Sequence, residues 1–216
     1  MQCGFTLVEM AIVLAIVALI LGGLLPTISG QVEQRHRQET LKQLDDIQQA
    51  LIGYAIVNGK LPCPADPTIA TGSVNAGVAP VAPCPLTTGV IPWTTLGTSE
   101  MDSWGHRFTY AVSASFTTTF TLASTGTLTV VNTVTGGSNI ATNIPAVFVS
   151  HGTDGSGAYT SQGTQIAVSS DPDELDNSNG GTTFVSKTFT PTFDDLVNWV
   201  SPNILFNRMV MAGKLP

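Results

Sequence analysis

Apolar and polar residues divide the first 58 positions of the chain into two consecutive stretches. Residues 5–25 are almost continuously apolar and contain one charged side chain, Glu9. At a rise of 1.5 Å per residue, a helix of this length spans about 31 Å, the thickness of a bilayer core. The pattern therefore predicts a membrane-spanning helix that carries a single carboxylate, which is costly in a membrane unless it has a partner or a purpose.

Residues 26–58 are more polar, but apolar residues recur in them at steps of three and four. They are Leu41, Leu44, Ile47, Leu51 and Tyr54. This spacing places them on one face of a helix, which then has to pack on a globular domain. Asn58-Gly59 is a favourable helix stop, and Pro62 cannot continue the helix. Residues 5–58 therefore predict one long helix.

A break in this helix is expected near its middle. Pro26 lacks the amide that would bond to the carbonyl of Gly22, and its ring clashes with that carbonyl. Gly22 and Gly23 weaken the same turn. We expect the helix to bend or loosen between Gly22 and Pro26.

The pattern changes again in residues 59–216. Runs rich in Thr, Val, Phe and Tyr, several of them separated by glycine-containing turns, predict short strands. They are Arg107–Val112, Thr118–Ala123, Thr127–Val134, Ala146–Ser150 and Thr183–Lys187. Short consecutive strands favour an antiparallel meander, so the fold class is α+β.

The C-terminal part is predicted to be helical. Thr192 with Asp195 three residues later has the spacing of a helix cap before residues 196–200. Ser201-Pro202 has the spacing of a second helix start, and Gly213 is a stop.

Composition and charge narrow the environment and the partners. Charged residues make up 11% of the chain, and its formal net charge is -7. Residues 61–216 contain ten acidic residues and four Lys or Arg. Because binding to phosphates needs clustered cations, nucleic acid is an unlikely partner. The low charge and the abundance of Gly, Thr, Ser and Pro favour an extracytoplasmic, β-rich domain.

Three cysteines are present: Cys3, Cys63 and Cys84. If processing removes Cys3, the remaining two make an even number, and an oxidising compartment would favour a disulfide between them. Two free thiols, or two small buried side chains, are the alternative.

The segment "GFTLVEM" at residues 4–10, followed by a long apolar helix with Pro26, closely resembles the N-terminal signal of type IV pilins and type II secretion pseudopilins. The resemblance implies cleavage between Gly4 and Phe5 by a prepilin peptidase, and methylation of Phe5. It also implies that Glu9 neutralises the N-terminal amine of a neighbouring subunit. Physically, two opposite charges buried among apolar helices each need the other, so this pair can set the register between subunits.

Two further segments look like those of major pseudopilins: "DSWGHRFTYAV" at residues 102–112 and "VSHGTDGSGA" at residues 149–158. The resemblance implies a pilin-like fold, in which a long N-terminal helix packs on a C-terminal antiparallel sheet domain. The implied organisation is a leader (1–4), a transmembrane and filament-core helix (5–25), an amphipathic helix (26–58) and a periplasmic or extracellular domain (59–216). The leader "MQCG" departs from the pattern because it contains no Lys or Arg.

The implied function is that of a structural subunit of a type II secretion pseudopilus or a type IV pilus. Its partners would be copies of itself or related pilins, the prepilin peptidase and an inner-membrane assembly platform. The precursor would cross the inner membrane once, in contact with lipid, before it joins a periplasmic pseudopilus or a cell-surface pilus. The alternatives are a competence-type minor pilin that binds DNA and a membrane-anchored periplasmic binding protein.

No motif of catalysis accompanies the two histidines of the globular part, His106 and His151. The residues around Ser156 lack the spacing of a nucleophile elbow, and no zinc or phosphate-binding motif is present. We expect no enzymatic activity and no required cofactor.

The acidic stretch "SSDPDELDNSNGG" at residues 169–181 is a candidate calcium site. Calcium binds carboxylate and carbonyl oxygens, which Asp171, Asp173 and Asp176 offer, with Asp154 as a more distant possibility. Leu175 and Asp176 occupy positions that rule out an EF-hand. A solvated acidic loop is the alternative, whereas the resemblance favours calcium because major pseudopilins bind it in the matching loop.

Overall fold

The computed structural model describes residues 6–215, with the side chains of all of them except residues 21–29. The chain divides into two compact units, Met1–Gln38 and Glu39–Pro216. In chain order the helices are α1 (Leu7–Asn58), α2 (Trp93–Leu96), α3 (Pro172–Asp176) and α4 (Pro202–Met211), with a 3-10 turn at Ala114–Phe116. The strands are β1 (Thr88–Val90), β2 (Thr109–Val112), β3 (Leu128–Val131), β4 (Asn139–Ile144), β5 (Ala146–Ser150), β6 (Thr183–Val185) and β7 (Leu196–Val200).

The first unit contains the N-terminal part of α1, in which the apolar side chains of residues 7–20 are exposed. Within the described residues, no helix is both long enough and apolar enough to cross a membrane. The predicted span of residues 5–25 extends beyond the described side chains at both of its ends, and it stays a prediction.

Helix α1 runs without interruption from Leu7 to Asn58. Gly22, Gly23 and Pro26 lie in the part of α1 whose side chains are not described, residues 21–29, and the bend between them also stays a prediction. At the other end, the amide of Gly59 bonds to the carbonyl of Ala55 at 2.7 Å, and Gly59 has a φ of 70°. A left-handed residue at this place ends a helix, so the predicted stop is confirmed.

The last turns of α1 form one wall of the main core of the second unit. Its side chains Leu44, Ile47, Leu51 and Ala55 are buried there against aromatic residues such as Phe108 and Phe148. The predicted amphipathic face is therefore confirmed at Leu44, Ile47 and Leu51, whereas Tyr54 is only partly buried. Leu41 differs, since it is about half exposed.

The principal sheet has four antiparallel strands in the order β1-β2-β5-β7. All residues of β2 and β5 are buried, because the sheet is covered on both faces by apolar clusters. Strands β3 and β4, which lie between β2 and β5 in sequence, form a separate sheet in which β3 also pairs with β6 in parallel. The α+β class is confirmed, whereas the simple meander is wrong.

Two predicted elements are also wrong. Residues 118–123 form no strand. They follow the 3-10 turn at Ala114–Phe116, and the ring of Phe120 packs 4.9 Å from that of Phe116. Residues 196–200 form strand β7 instead of a helix, because they pair along their whole length with β5. The second C-terminal helix, α4, is confirmed with Ser201 as its N-cap and Pro202 as its first residue.

Candidate functional site

The start of α1 is closed by a capping box between Thr6 and Glu9. The amide and the hydroxyl of Thr6 both donate to Oε2 of Glu9, at 3.0 and 2.9 Å, and the amide of Glu9 donates to the Thr6 hydroxyl at 3.3 Å. This reciprocal arrangement satisfies donors that a helix start otherwise leaves without partners. Within one subunit Glu9 therefore already binds the first turn of its own helix. Gly4 and Phe5, the predicted processing site, lie outside the described residues.

The structure joins Cys63 and Cys84 in a disulfide, with their Cα atoms 5.3 Å apart. The predicted pairing is thus present. The two cysteines are 21 residues apart, and their bond closes the loop between α1 and β1.

The three predicted calcium ligands have three different local partners. Asp171 caps α3 by accepting the amide of Asp173 at 2.9 Å. Asp173 forms an ion pair with Lys187 and accepts the amide of Val134 at 2.7 Å. Asp176 accepts from the side-chain amide of Asn179 at 2.6 Å. The structure does not bring these three carboxylates together.

Three other carboxylates do converge. Asp154, Glu174 and Asp194 each place an oxygen within 4.8 Å of the others, the one such group among the described residues. They come from three separate segments: the turn after β5, helix α3, and the residues just before β7. We call this group the carboxylate cluster. Of these three residues, the sequence indicated only Asp154, as a more distant possibility. Glu174 lies within the acidic stretch 169–181 but was not among the ligands predicted there, and Asp194 lies outside that stretch.

Backbone contacts fix the geometry of the carboxylate cluster. Oδ2 of Asp194 accepts the amides of Thr153 and Asp154, at 2.7 and 3.2 Å. The amide of Asp194 donates to Oε1 of Glu174 at 3.3 Å. Gly152, with a φ of 55°, is required here because a Cβ at this position would lie 2.4 Å from the carboxyl carbon of Asp194.

The charges of the carboxylate cluster are poorly compensated. Glu174 is 2% exposed, and its burial raises its pKa to about 7. Burial, followed by repulsion from Asp154, also raises the pKa of Asp194. Oδ1 of Asp194 is buried without a hydrogen-bond partner. Three carboxylates with an orphaned buried oxygen are the donor set that a hard cation such as calcium binds.

Beside the carboxylate cluster lies a buried chain of polar side chains. Nε2 of His151 is 2.8 Å from the hydroxyl of Thr109, and Asn177 donates to Oδ2 of Asp195 at 2.7 Å. Burial lowers the pKa of His151, but the carboxylates of Asp195, Asp102 and Glu174 outweigh it and raise that pKa overall. The order hydroxyl–imidazole–carboxylate is that of a nucleophilic triad. In a triad the carboxylate is hydrogen-bonded to the imidazole, whereas here Nδ1 of His151 and Oδ1 of Asp195 lie 3.6 Å apart and neither atom has a hydrogen-bond partner among the described residues. The arrangement therefore favours a structural role.

The long N-terminal helix and the antiparallel sheet domain together define a pilin-like α+β fold. Residues 1–25 match the family model described as the prokaryotic N-terminal methylation motif. The chain therefore carries the N-terminal signal of type IV pilins and pseudopilins, which implies a membrane-anchored precursor, processing by a prepilin peptidase and assembly into filaments. No curated protein and no solved structure matches the chain.

Proposed function

We propose that this protein is a structural subunit of a type II secretion pseudopilus or a type IV pilus. The peptidase cleaves after Gly4, Phe5 becomes the methylated N-terminus, and the apolar helix forms the core of the filament. The observation that carries the proposal is the methylation motif at residues 1–25, at the start of a helix that continues to Asn58. Its role is assembly and not catalysis.

Glu9 is the residue that we expect to set the register between subunits. In its capping box Glu9 uses Oε2 alone. The box therefore holds the carboxylate at the helix start before assembly, and this is the charge that the amine of Phe5 in a neighbouring subunit would need. A buried carboxylate in an apolar filament core is stable only when it is paired, and the same holds for the amine. This requirement selects the one axial position at which the two groups meet.

The DNA-binding alternative has little support from the surface charge. Arg107 is buried and paired with Glu100, and Lys187 is paired with Asp173. Two of the four cations of residues 61–216 are therefore already paired with carboxylates of the same chain.

The intact mass of the native protein tests the proposal. The expected mature chain begins at a methylated Phe5, whereas Gly4→Val should leave the precursor uncut and held in the membrane. Gly30→Val is the matched control, since it makes the same change outside the processing site and there is open space around Gly30. A native chain that still begins at Met1 would overturn the assignment.

Calcium binding is a second proposed property, carried by the carboxylate cluster and not by Asp171, Asp173 and Asp176. Asp154, Glu174 and Asp194 would bind the ion, which would neutralise their repulsion and give the orphaned oxygen of Asp194 a partner. The ion would also tie three separate segments together. A rise in the melting temperature with calcium, reversed by chelator, is the test.

A further inference from the structure

The disulfide-closed loop forms an apolar groove of about 570 Å³ on the second unit. Its lining includes Pro64, Ile69, Val78, Pro80, Val81 and Leu86, and its one charged residue is Asp66. Val81 is 85% exposed, so the apolar wall is open to solvent. Two of its lining residues, Pro85 and Leu86, directly follow this loop, and the others lie within it.

Several contacts hold the groove in shape. The disulfide closes the loop, and the backbone of Ala65 pairs with that of Val90 in both directions, at 2.9 and 3.1 Å. The buried guanidinium of Arg107 donates to the carbonyl of Pro67 at 2.9 Å, and the hydroxyl of Thr95 accepts the amide of Ala79 at 2.8 Å. A preformed groove loses little conformational entropy when a partner binds it.

Helix α4 presents a complementary surface. Its inner side is anchored in the core by Leu205 and Met209, which are buried. Ile204, Arg208 and Met211 follow at steps of four and three, so they form one outer face, and all three are exposed. Methionine is flexible and adapts to irregular apolar surfaces. We call these three residues the outer face of α4.

Charge distinguishes this face from the rest of the domain. Residues 202–215 contain two cations, Arg208 and Lys214, and no acid, in a chain whose net charge is -7. Neither cation is in a salt bridge of the described chain. The groove, in contrast, has Asp66 as its one charged residue. The groove and the outer face of α4 are therefore complementary in two ways: both are apolar, and the groove carries the acid Asp66 while the helix carries the cation Arg208.

We propose that the outer face of α4 of one copy of this chain docks in the groove of a second copy. Because groove and helix are different surfaces of the same molecule, a head-to-tail contact between them can repeat from copy to copy along a filament. One helix face offers too little area for a stable complex by itself. The contact thus rests on the proposed function: the N-terminal helices bring the copies together, and α4 and the groove fix the orientation of neighbouring domains.

Photo-crosslinking in filaments assembled from the full chain tests the contact. A photoreactive amino acid at Ile204, which is 48% exposed, should give covalent dimers on irradiation. After reduction and digestion, the partner peptide should be the tryptic peptide 61–107, which contains the groove. The same probe at Val168, which is 51% exposed, is the matched control and should not link to that peptide.

Charge exchange supplies an independent measurement. Arg208→Glu should lower filament yield by about threefold, and Asp66→Arg in the same chain should restore it, since the pair is then reversed. Precursor level and processing should not change in any of these variants.

The results separate the contact from the proposed function. Filaments that form without a link from Ile204 to peptide 61–107, or a yield that the double variant does not restore, would overturn the docking of α4 and leave the filament assignment intact. A chain that is processed but never assembles would overturn the assignment, and the docking with it.

Discussion

Nδ1 of His151 lies 3.6 Å from Oδ1 of Asp195, and both side chains are completely buried. His151 directly follows β5 and Asp195 directly precedes β7, and these two strands are neighbours in the principal sheet. When His151 is protonated, the pair places a positive charge near Glu174 of the carboxylate cluster, whose carboxylate helps to raise the pKa of His151. Removal of either partner would leave the other charge buried without compensation, which costs about 3–5 kcal/mol.

His151→Gln should therefore destabilise the second unit by about 3 kcal/mol, because glutamine keeps the hydrogen-bonding capacity but not the charge. Because the pKa of His151 is raised in the folded protein, the free energy of unfolding depends on pH. The stabilisation is present below the unfolded-state pKa near 6.5 and is lost as pH rises through the folded-state pKa. Chemical unfolding of wild type and variant across this range measures it. The two stabilities should converge at high pH, and a gap that is the same at all pH values would contradict the ionic origin.

Glu174 should contribute a pH dependence of its own. Since burial raises its pKa to about 7, the folded chain holds a proton that the unfolded chain has lost from about pH 4.5 upward. Without calcium, stability should fall as pH rises to about 7 and then level off. Glu174→Gln should remove this fall and leave the slope below pH 4 unchanged. Unfolding curves recorded in chelator provide the measurement.

Calcium should offset the loss of stability that the charged carboxylate cluster causes at high pH. At pH 8, millimolar calcium should raise the melting temperature of wild type, and Asp154→Asn with Asp194→Asn should abolish the rise without unfolding the protein. Asp171→Asn with Asp176→Asn is the matched control, since it removes the same charge from residues outside the carboxylate cluster. If the control pair abolishes the rise and the first pair does not, the ion binds the acidic loop instead.

The disulfide should be complete in the mature protein. Thiol labelling without reduction is expected to find no reactive cysteine. Closure of a loop of about 20 residues contributes roughly 3 kcal/mol, so Cys63→Ser with Cys84→Ser should lower the free energy of unfolding by that amount. Equal stability of the reduced and oxidised proteins would show that the loop is held by its other contacts.

Glu9→Val should abolish filament assembly while membrane insertion persists or improves, because the neighbouring amine loses its partner. Thr6→Ala separates the two roles of Glu9: it removes the two hydrogen bonds of the capping box that need the Thr6 hydroxyl, at a cost of about 1 kcal/mol, and keeps the carboxylate. We expect Thr6→Ala to assemble, as judged from the yield of sheared filaments. Failure of both variants would assign the defect to the helix start and not to the register between subunits.

The sequence by itself determined those features that depend only on residues close to one another in the chain. The end of α1 at Asn58 needs only Asn-Gly followed by Pro62, and the start of α4 needs only Ser201-Pro202. The buried face of α1 was evident from the period of Leu44, Ile47 and Leu51, which is a property of a single helix. The methylation motif is likewise a contiguous stretch, residues 1–25.

The tertiary structure decided what depends on partners distant in the chain. Leu196 and Val200 are four residues apart, a spacing that puts both on one face of either a helix or a strand, and only the neighbouring β5 selects the strand. The parallel pairing of β3 with β6 is equally invisible in either strand alone. Asp154, Glu174 and Asp194 look unrelated in sequence, because the fold and not their spacing brings their carboxylates within 4.8 Å. Local periods specify single elements, whereas sheet pairing and charge clusters arise only when several elements pack together.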